Sequence, residues 1–173
     1  MTRASVRNIV LTGFMGSGKT TVGKLVAREL GWTVVDTDDV IVSRYGPIEE
    51  IFAERGEDGF RALEREVAAE VAAGQRQVVA TGGRMLLDPA NAEALSGAGR
   101  VFCLVADVDE IVRRLESDVE GPVRPLLAGE DPAAEVAQLL AERAEGYAQF
   151  EQVHTAGRTP HAIAADITSR LDV

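Results

Sequence analysis

Apolar residues fall in short continuous runs along this chain, and the runs alternate with stretches of helical period. Runs of strand length occupy 8–12, 33–36, 77–81, 100–106 and, more weakly, 151–155. Helical patterns fill 19–30, 38–74, 89–96, 108–116, 132–149 and 159–171, and the stretch 38–74 is long enough for two or three helices. A strand that is apolar at nearly every position is buried on both faces. Alternation with helices then predicts a parallel sheet covered on both sides, an α/β three-layer sandwich with five strands. No repeat, low-complexity tract or linker breaks the pattern, so 1–173 is expected to form one domain. In such sheets ligands bind beyond the carboxyl ends of the strands, so chemistry is expected in the residues that follow each run.

The first run is followed by Gly13-Phe14-Met15-Gly16-Ser17-Gly18-Lys19-Thr20 and then by the amphipathic stretch Thr21 to Leu30. This is G-x-x-x-x-G-K-[ST], the phosphate-binding loop (P-loop), placed between a strand and a helix as the motif requires. Gly13, Gly16 and Gly18 let the backbone wrap an oxyanion with its N–H groups inward, and the helix N-terminus adds partial positive charge. Ser17 and Thr21 belong to the same stretch. Lys19 is placed to reach the β- and γ-phosphates, and Thr20 offers a hydroxyl to Mg²⁺. The second run ends in Asp36-Thr37-Asp38-Asp39. In extended backbone Asp36 and Asp38 share a face, so one could hold the metal's water shell and the other orient an attacking hydroxyl. One of them would equally serve as the N-cap of the helix that follows. The third run ends in Thr81-Gly82-Gly83-Arg84, where paired glycines admit a ligand close to backbone N–H groups or form an ordinary tight turn.

Three arginines stand out. Arg61 lies in a helical pattern within one turn of Glu57 and Glu64, which alone suggests a solvated ion pair. Arg124 sits in the Gly- and Pro-rich segment Gly121 to Gly129, which is either a plain exposed loop or a lid (about 117–130) able to bring a cation onto a transferring phosphoryl group. Arg143 lies on the next helical pattern. The net charge is −10, which argues against a nucleic-acid partner and makes any arginine cluster conspicuous. Hydrophobic residues make up 46% and charged residues 27%, values of a soluble globular domain, and no apolar run reaches the ~20 residues that span a membrane. The single cysteine, Cys103, lies within an apolar run and reads as a core thiol. With no secretory signal at the start, a cytoplasmic protein is expected.

From Asn8 to Leu171 the ordered set of residues resembles the shikimate kinase family, small kinases of the nucleoside-monophosphate-kinase type. The resemblance rests on Gly13 to Gly23, on Asp36-Thr37-Asp38, on Ile48-Glu49-Glu50-Ile51-Phe52 followed by Gly56-Glu57 and Phe60-Arg61-Ala62-Leu63-Glu64, on Arg124-Pro125-Leu126-Leu127, on Arg143 four residues before Tyr147, and on Arg158-Thr159-Pro160. It implies strand order 2-3-1-4-5 and transfer of a phosphoryl group from ATP, with Mg²⁺, to the 3-hydroxyl of shikimate, in aromatic amino-acid biosynthesis. It implies that Lys19 and Thr20 handle phosphates and metal, that Asp36 helps to hold Mg²⁺ through water, and that Asp38 orients the hydroxyl and accepts its proton. Arg61 and Arg143 would grip the substrate carboxylate, Gly82 and Gly83 would present backbone to the substrate, and 38–74 would form the substrate-binding helical region. Arg124 would cover the phosphoryl group when the lid closes, and Arg158 would lie on the adenine side. A monomer is expected rather than an oligomer.

One position departs from the family pattern of three glycines after the third strand: Arg84 stands in the third place. An arginine keeps the backbone N–H but gives up easy access to positive φ. Its side chain would swing outward without effect, add a contact to an anionic substrate, or occlude the pocket. The last outcome would favour a same-fold kinase for another hydroxylated carboxylate such as gluconate, or a nucleotide-binding protein without activity.

Overall fold

The strands take two-sided burial literally. In the computed structural model, which describes residues 6–118 and 127–171, five strands form one parallel sheet in the order β2-β3-β1-β4-β5. They are β1 (Asn8–Thr12), β2 (Thr33–Asp36), β3 (Gln77–Ala80), β4 (Arg100–Val105) and β5 (Glu151–His154). Successive side chains point to opposite faces, so each central strand feeds two cores. Ile9, Leu11, Val78, Phe102 and Leu104 pack under α1 (Lys19–Leu30) and α7 (Pro160–Ser169) with Val22, Val26, Ile163 and Ile167. Val10, Val79 and Val101 face the other way, against α3 (Ile48–Ala73) and α4 (Pro89–Ala98), through Phe60, Leu63, Val67 and Leu95. On that same side Cys103 meets Phe14, Ile111 and Leu115 of α5 (Val108–Ser117), and Val136 and Tyr147 of α6 (Pro132–Ala148). The three-layer expectation and the strand order are both found.

Helix starts are written locally. Asp88, Asp131 and Thr159 each cap a helix with their side chain, and each is followed by a proline in the first turn of the helix, where no N–H is needed. Asp107 caps α5. α1 stops at Gly31, which takes φ 67° and returns its N–H to the Ala27 carbonyl. The stretch 38–74 resolves into α2 (Thr37–Tyr45) and α3, and α3 is broken at Gly56 (φ 69°, ψ −177°), which makes three helical pieces. The break re-aims Glu57, Arg61 and Glu64. β3, β4 and β5 each end one residue before the predicted runs. Thr81 and Thr155 still bond to the sheet, through Leu11 and Val105 carbonyls, but there the chain turns into the loops that carry the site.

Candidate active site

The residues after β1 form a cradle whose shape depends on glycine. Gly13, Gly16 and Gly18 take φ of 135°, 75° and 99°, a region that side chains disfavour. A Cβ on Gly13 would lie 2.5 Å from the Leu104 carbonyl oxygen, so the loop is pressed onto β4. Lys19 opens α1, and its ammonium donates to the carbonyls of Gly13 (2.7 Å) and Phe14 (3.0 Å). The part-exposed side chain reaches inward among protein atoms, and this desolvation pulls its pKa down to about 8, against the pull of Asp38 and other neighbours. Ser17 is buried beneath the loop, its backbone N–H donating to the Phe14 carbonyl.

Across from Thr20 lies Asp36, the last residue of β2. Thr20 Oγ1 donates to Asp36 Oδ2 at 2.8 Å, while Asp36 Oδ1 accepts the backbone N–H groups of Asp38 (3.0 Å) and Asp39 (3.2 Å). Asp36 is therefore helix cap and partner of the loop threonine at once. The expected extended arrangement of Asp36 and Asp38 is not found: β2 stops at Asp36 because its carboxylate caps α2, and Asp38 sits in the first turn of that helix. Both carboxylates still reach the cleft. Burial first, and the Asp36 charge second, raise the Asp38 pKa above the ordinary aspartate range, against the opposing pull of Lys19.

A cleft of about 590 Å³ runs from this cradle towards α3. At its far end Arg61 bonds Glu64 at 2.6 Å and stands 3.6 Å from Glu57. Glu64 is 2% exposed, and its burial raises its pKa although the Arg61 bond pulls it down. Arg143, from α6, lies 5.1 Å over the Phe14 ring. Gly82 is the point of closest approach: a Cβ there would meet Asp38 Oδ1 at 2.9 Å and Glu64 Oε1 at 3.2 Å. Its N–H donates to Thr37 Oγ1, and the Gly83 carbonyl accepts from the Tyr147 hydroxyl at 2.6 Å. Arg84 takes φ −105°, ψ −4°, so the position asks for no positive φ and tolerates a side chain. That side chain lines the cleft and pairs with Glu57 Oε1 at 3.0 Å.

Of the residues singled out from sequence, Gly16, Gly18, Lys19, Thr20, Thr21, Asp36, Asp38, Arg61, Gly82, Gly83 and Arg143 line this one cleft. Gly13 and Ser17 shape the loop from beneath. Arg158 does not reach it; it precedes α7 and bonds Asp166 (2.9 Å) and the His154 carbonyl (3.0 Å). Arg124 and most of the expected lid lie outside the described residues. Cys103 is a core thiol, its pKa pushed up to about 11 by burial. Sequence reasoning missed Arg114. From α5 it donates to the carbonyls of Gly16 (3.1 Å) and Ser17 (3.3 Å) and to Thr155, bracing the phosphate loop against the turn after β5. Its local signal is an i, i+4 pair with Glu110, which many surface helices carry.

Comparison with known proteins agrees with this geometry. A family model described as "Shikimate kinase" matches residues 15–172. A shikimate kinase of Geobacter metallireducens is 43% identical over 171 residues, covering 98% of this chain and 94% of its own. The structure of shikimate kinase from Acinetobacter baumannii in complex with shikimate superposes with a TM-score of 0.86 at 34% identity, covering 95% of this chain and 92% of that one. A gluconokinase from Sinorhizobium meliloti shares the fold, with a TM-score of 0.62 at 19% identity over 98% of this chain and 97% of its own. Fold, cleft and sequence similarity thus converge, and the chain belongs to the shikimate kinase family.

Proposed function

We propose that this protein transfers the γ-phosphoryl group of ATP to the 3-hydroxyl of shikimate. The observation that carries the reading is one cleft lined together by the phosphate cradle, by Asp36 and Asp38, and by the guanidinium groups of Arg61, Arg84 and Arg143. The cradle of Gly13 to Thr20 holds the phosphates through backbone N–H groups, and Lys19 leaves its carbonyl partners for the β- and γ-phosphates. Arg61 and Arg143 hold the substrate carboxylate, and planar guanidinium forks suit that group. Gly82 and Gly83 let the ring approach the backbone.

The substrate hydroxyl attacks the γ-phosphorus as the bond to the β-bridging oxygen breaks, ADP leaves, and Asp38 takes the hydroxyl proton. A carboxylate whose pKa burial has raised is better matched to that proton. Thr20 Oγ1 and Asp36 Oδ2 are hard oxygens 2.8 Å apart beside the cradle. That donor set fits Mg²⁺, which takes few protein ligands and shares the rest with water and phosphate. Thr20 and Asp36 would hold the ion, which supplies charge neutralisation on the phosphates. The lid role of Arg124 rests on family resemblance, as does the adenine-side role of Arg158. A single domain, a monomeric state and the cytoplasm complete the reading.

Asp38→Asn separates binding from chemistry. In a coupled assay of ADP release, kcat should fall about 10²- to 10⁴-fold, while calorimetry still detects shikimate and ADP binding. An unchanged kcat would remove Asp38 from the mechanism.

A further inference from the structure

Arg84 stands where the family resemblance leads one to expect a third glycine, and within the cleft its guanidinium is paired with a carboxylate. Glu57 Oε1 lies 3.0 Å from Arg84 Nη1 and 3.6 Å from Arg61 Nη2. Arg61 and Glu57 are one helical turn apart on α3, a spacing at which an arginine and a glutamate pair by default. Here the default pair is stretched, and the shared oxygen sits closer to Arg84. Arg61 keeps its short bond to the deeply buried Glu64 through Nη1, and Nη2 is held only by the long contact to Glu57, on a side chain that lines the cleft.

We propose that Arg84 is a positioning residue for the acceptor site: by drawing Glu57 away, it keeps the Nη2 edge of Arg61 open for the carboxylate of the substrate. The proposal rests on the reading that Arg61 binds that carboxylate. A glutamate bound to Arg61 competes with an incoming carboxylate for the same fork. A chain with glycine at position 84 has no cation there to hold Glu57 back, so Glu57 relaxes onto Arg61. Arg84 itself need not touch the substrate. Both members of the Arg84–Glu57 pair are about half exposed, so water screens it and the effect is modest.

The test is a double-mutant cycle on the full chain, with KM for shikimate, KM for ATP and kcat measured for each variant. Arg84→Gly should raise KM for shikimate about two- to fivefold, the range of an exposed ion pair, with kcat and KM for ATP unchanged. Arg84→Lys should keep the native KM. Glu57→Gln in the Arg84→Gly background should return KM for shikimate to the native range, and should change it much less in the native background, because there Glu57 is already held. If Glu57→Gln shifts KM by the same factor in both backgrounds, Arg84 acts only through the general field and the proposal fails. If Arg84→Gly raises KM and Glu57→Gln does not restore it, Arg84 contacts the substrate directly and the proposal also fails. No change on Arg84→Gly overturns it as well. Arg61→Gln tests the underlying reading separately: an unchanged KM for shikimate in that variant removes Arg61 from the carboxylate site whatever Arg84 does. Thermal melting of each variant and titration with ADP confirm that fold and nucleotide site are intact.

Discussion

The two ends of the cleft are built by different means. The phosphate end is backbone: three glycines at positive φ, one loop of continuous sequence and the start of one helix, pressed onto β4 at Gly13. The acceptor end is side chains: Arg61 and Glu64 from α3, Arg143 from α6, Asp38 from α2 and the Gly82–Gly83 turn after β3. A backbone cradle is specified by conformation, so almost any change to its glycines costs something. A side-chain constellation is specified by ion pairs and distances, so it can be retuned, and the Arg84–Glu57 pair is the place where we propose it has been. On the proposed reading, one end recognises what all nucleotides share and the other selects an acceptor.

Substitutions that add a single methyl group sharpen this contrast. Gly13→Ala should do most harm. It forces a side chain to φ 135° and sets a carbon 2.5 Å from the Leu104 oxygen. Stability should fall by about 2 kcal/mol or more in denaturant unfolding, with nucleotide binding lost alongside it. Gly82→Ala adds the same methyl group without positive φ, against the carboxylate ends of Asp38 and Glu64. Here kcat/KM should fall about 10- to 100-fold through displaced catalytic groups, with little change in unfolding midpoint. If Gly82→Ala unfolds the protein as much as Gly13→Ala, the two ends are not built differently.

A smaller effect is expected from pH at the phosphate end. Lys19 has a pKa of about 8 because its surroundings disfavour the charge. Bound phosphate favours the ammonium and raises that pKa, so nucleotide binding takes up protons where the free lysine is partly neutral. Affinity should therefore hold below pH 8 and fall as pH rises through it, by at most about tenfold between pH 7 and 9. Calorimetric titration of ADP at pH 8 in buffers of different ionisation enthalpy reads the proton directly. Heats that do not depend on the buffer would contradict it.

How much of this was legible in the sequence follows the same division. The phosphate loop could be read outright, because its chemistry is carried by consecutive residues whose order is the structure. Helix starts at Asp88-Pro89, Asp131-Pro132 and Thr159-Pro160 were equally local. Strand order came with the family resemblance, since apolar runs alone are silent about which strand neighbours which. Asp36 and Asp38 both line the cleft but are not the extended pair expected, because capping ends the strand at Asp36 and puts Asp38 in the first turn of α2. Arg61 pairs with its helix neighbours as its spacing suggests, but its short bond is to a buried Glu64 rather than in solvent, and it lines the cleft. Arg114 was illegible, since the loop it braces lies 98 residues away in sequence and its local pairing is ordinary. That Glu57 is shared between Arg61 and Arg84 could not be read either, because 27 residues separate Glu57 from Arg84 and only the fold brings them together.

The central claim is that one cleft carries ATP chemistry at one end and shikimate selection at the other. The most direct test is a coupled assay of ADP release by the native protein with ATP and Mg²⁺, run with shikimate, with gluconate and with neither. The account predicts rapid release with shikimate and near-background release in the other two. Release that ignores shikimate, or that gluconate supports equally, would contradict it.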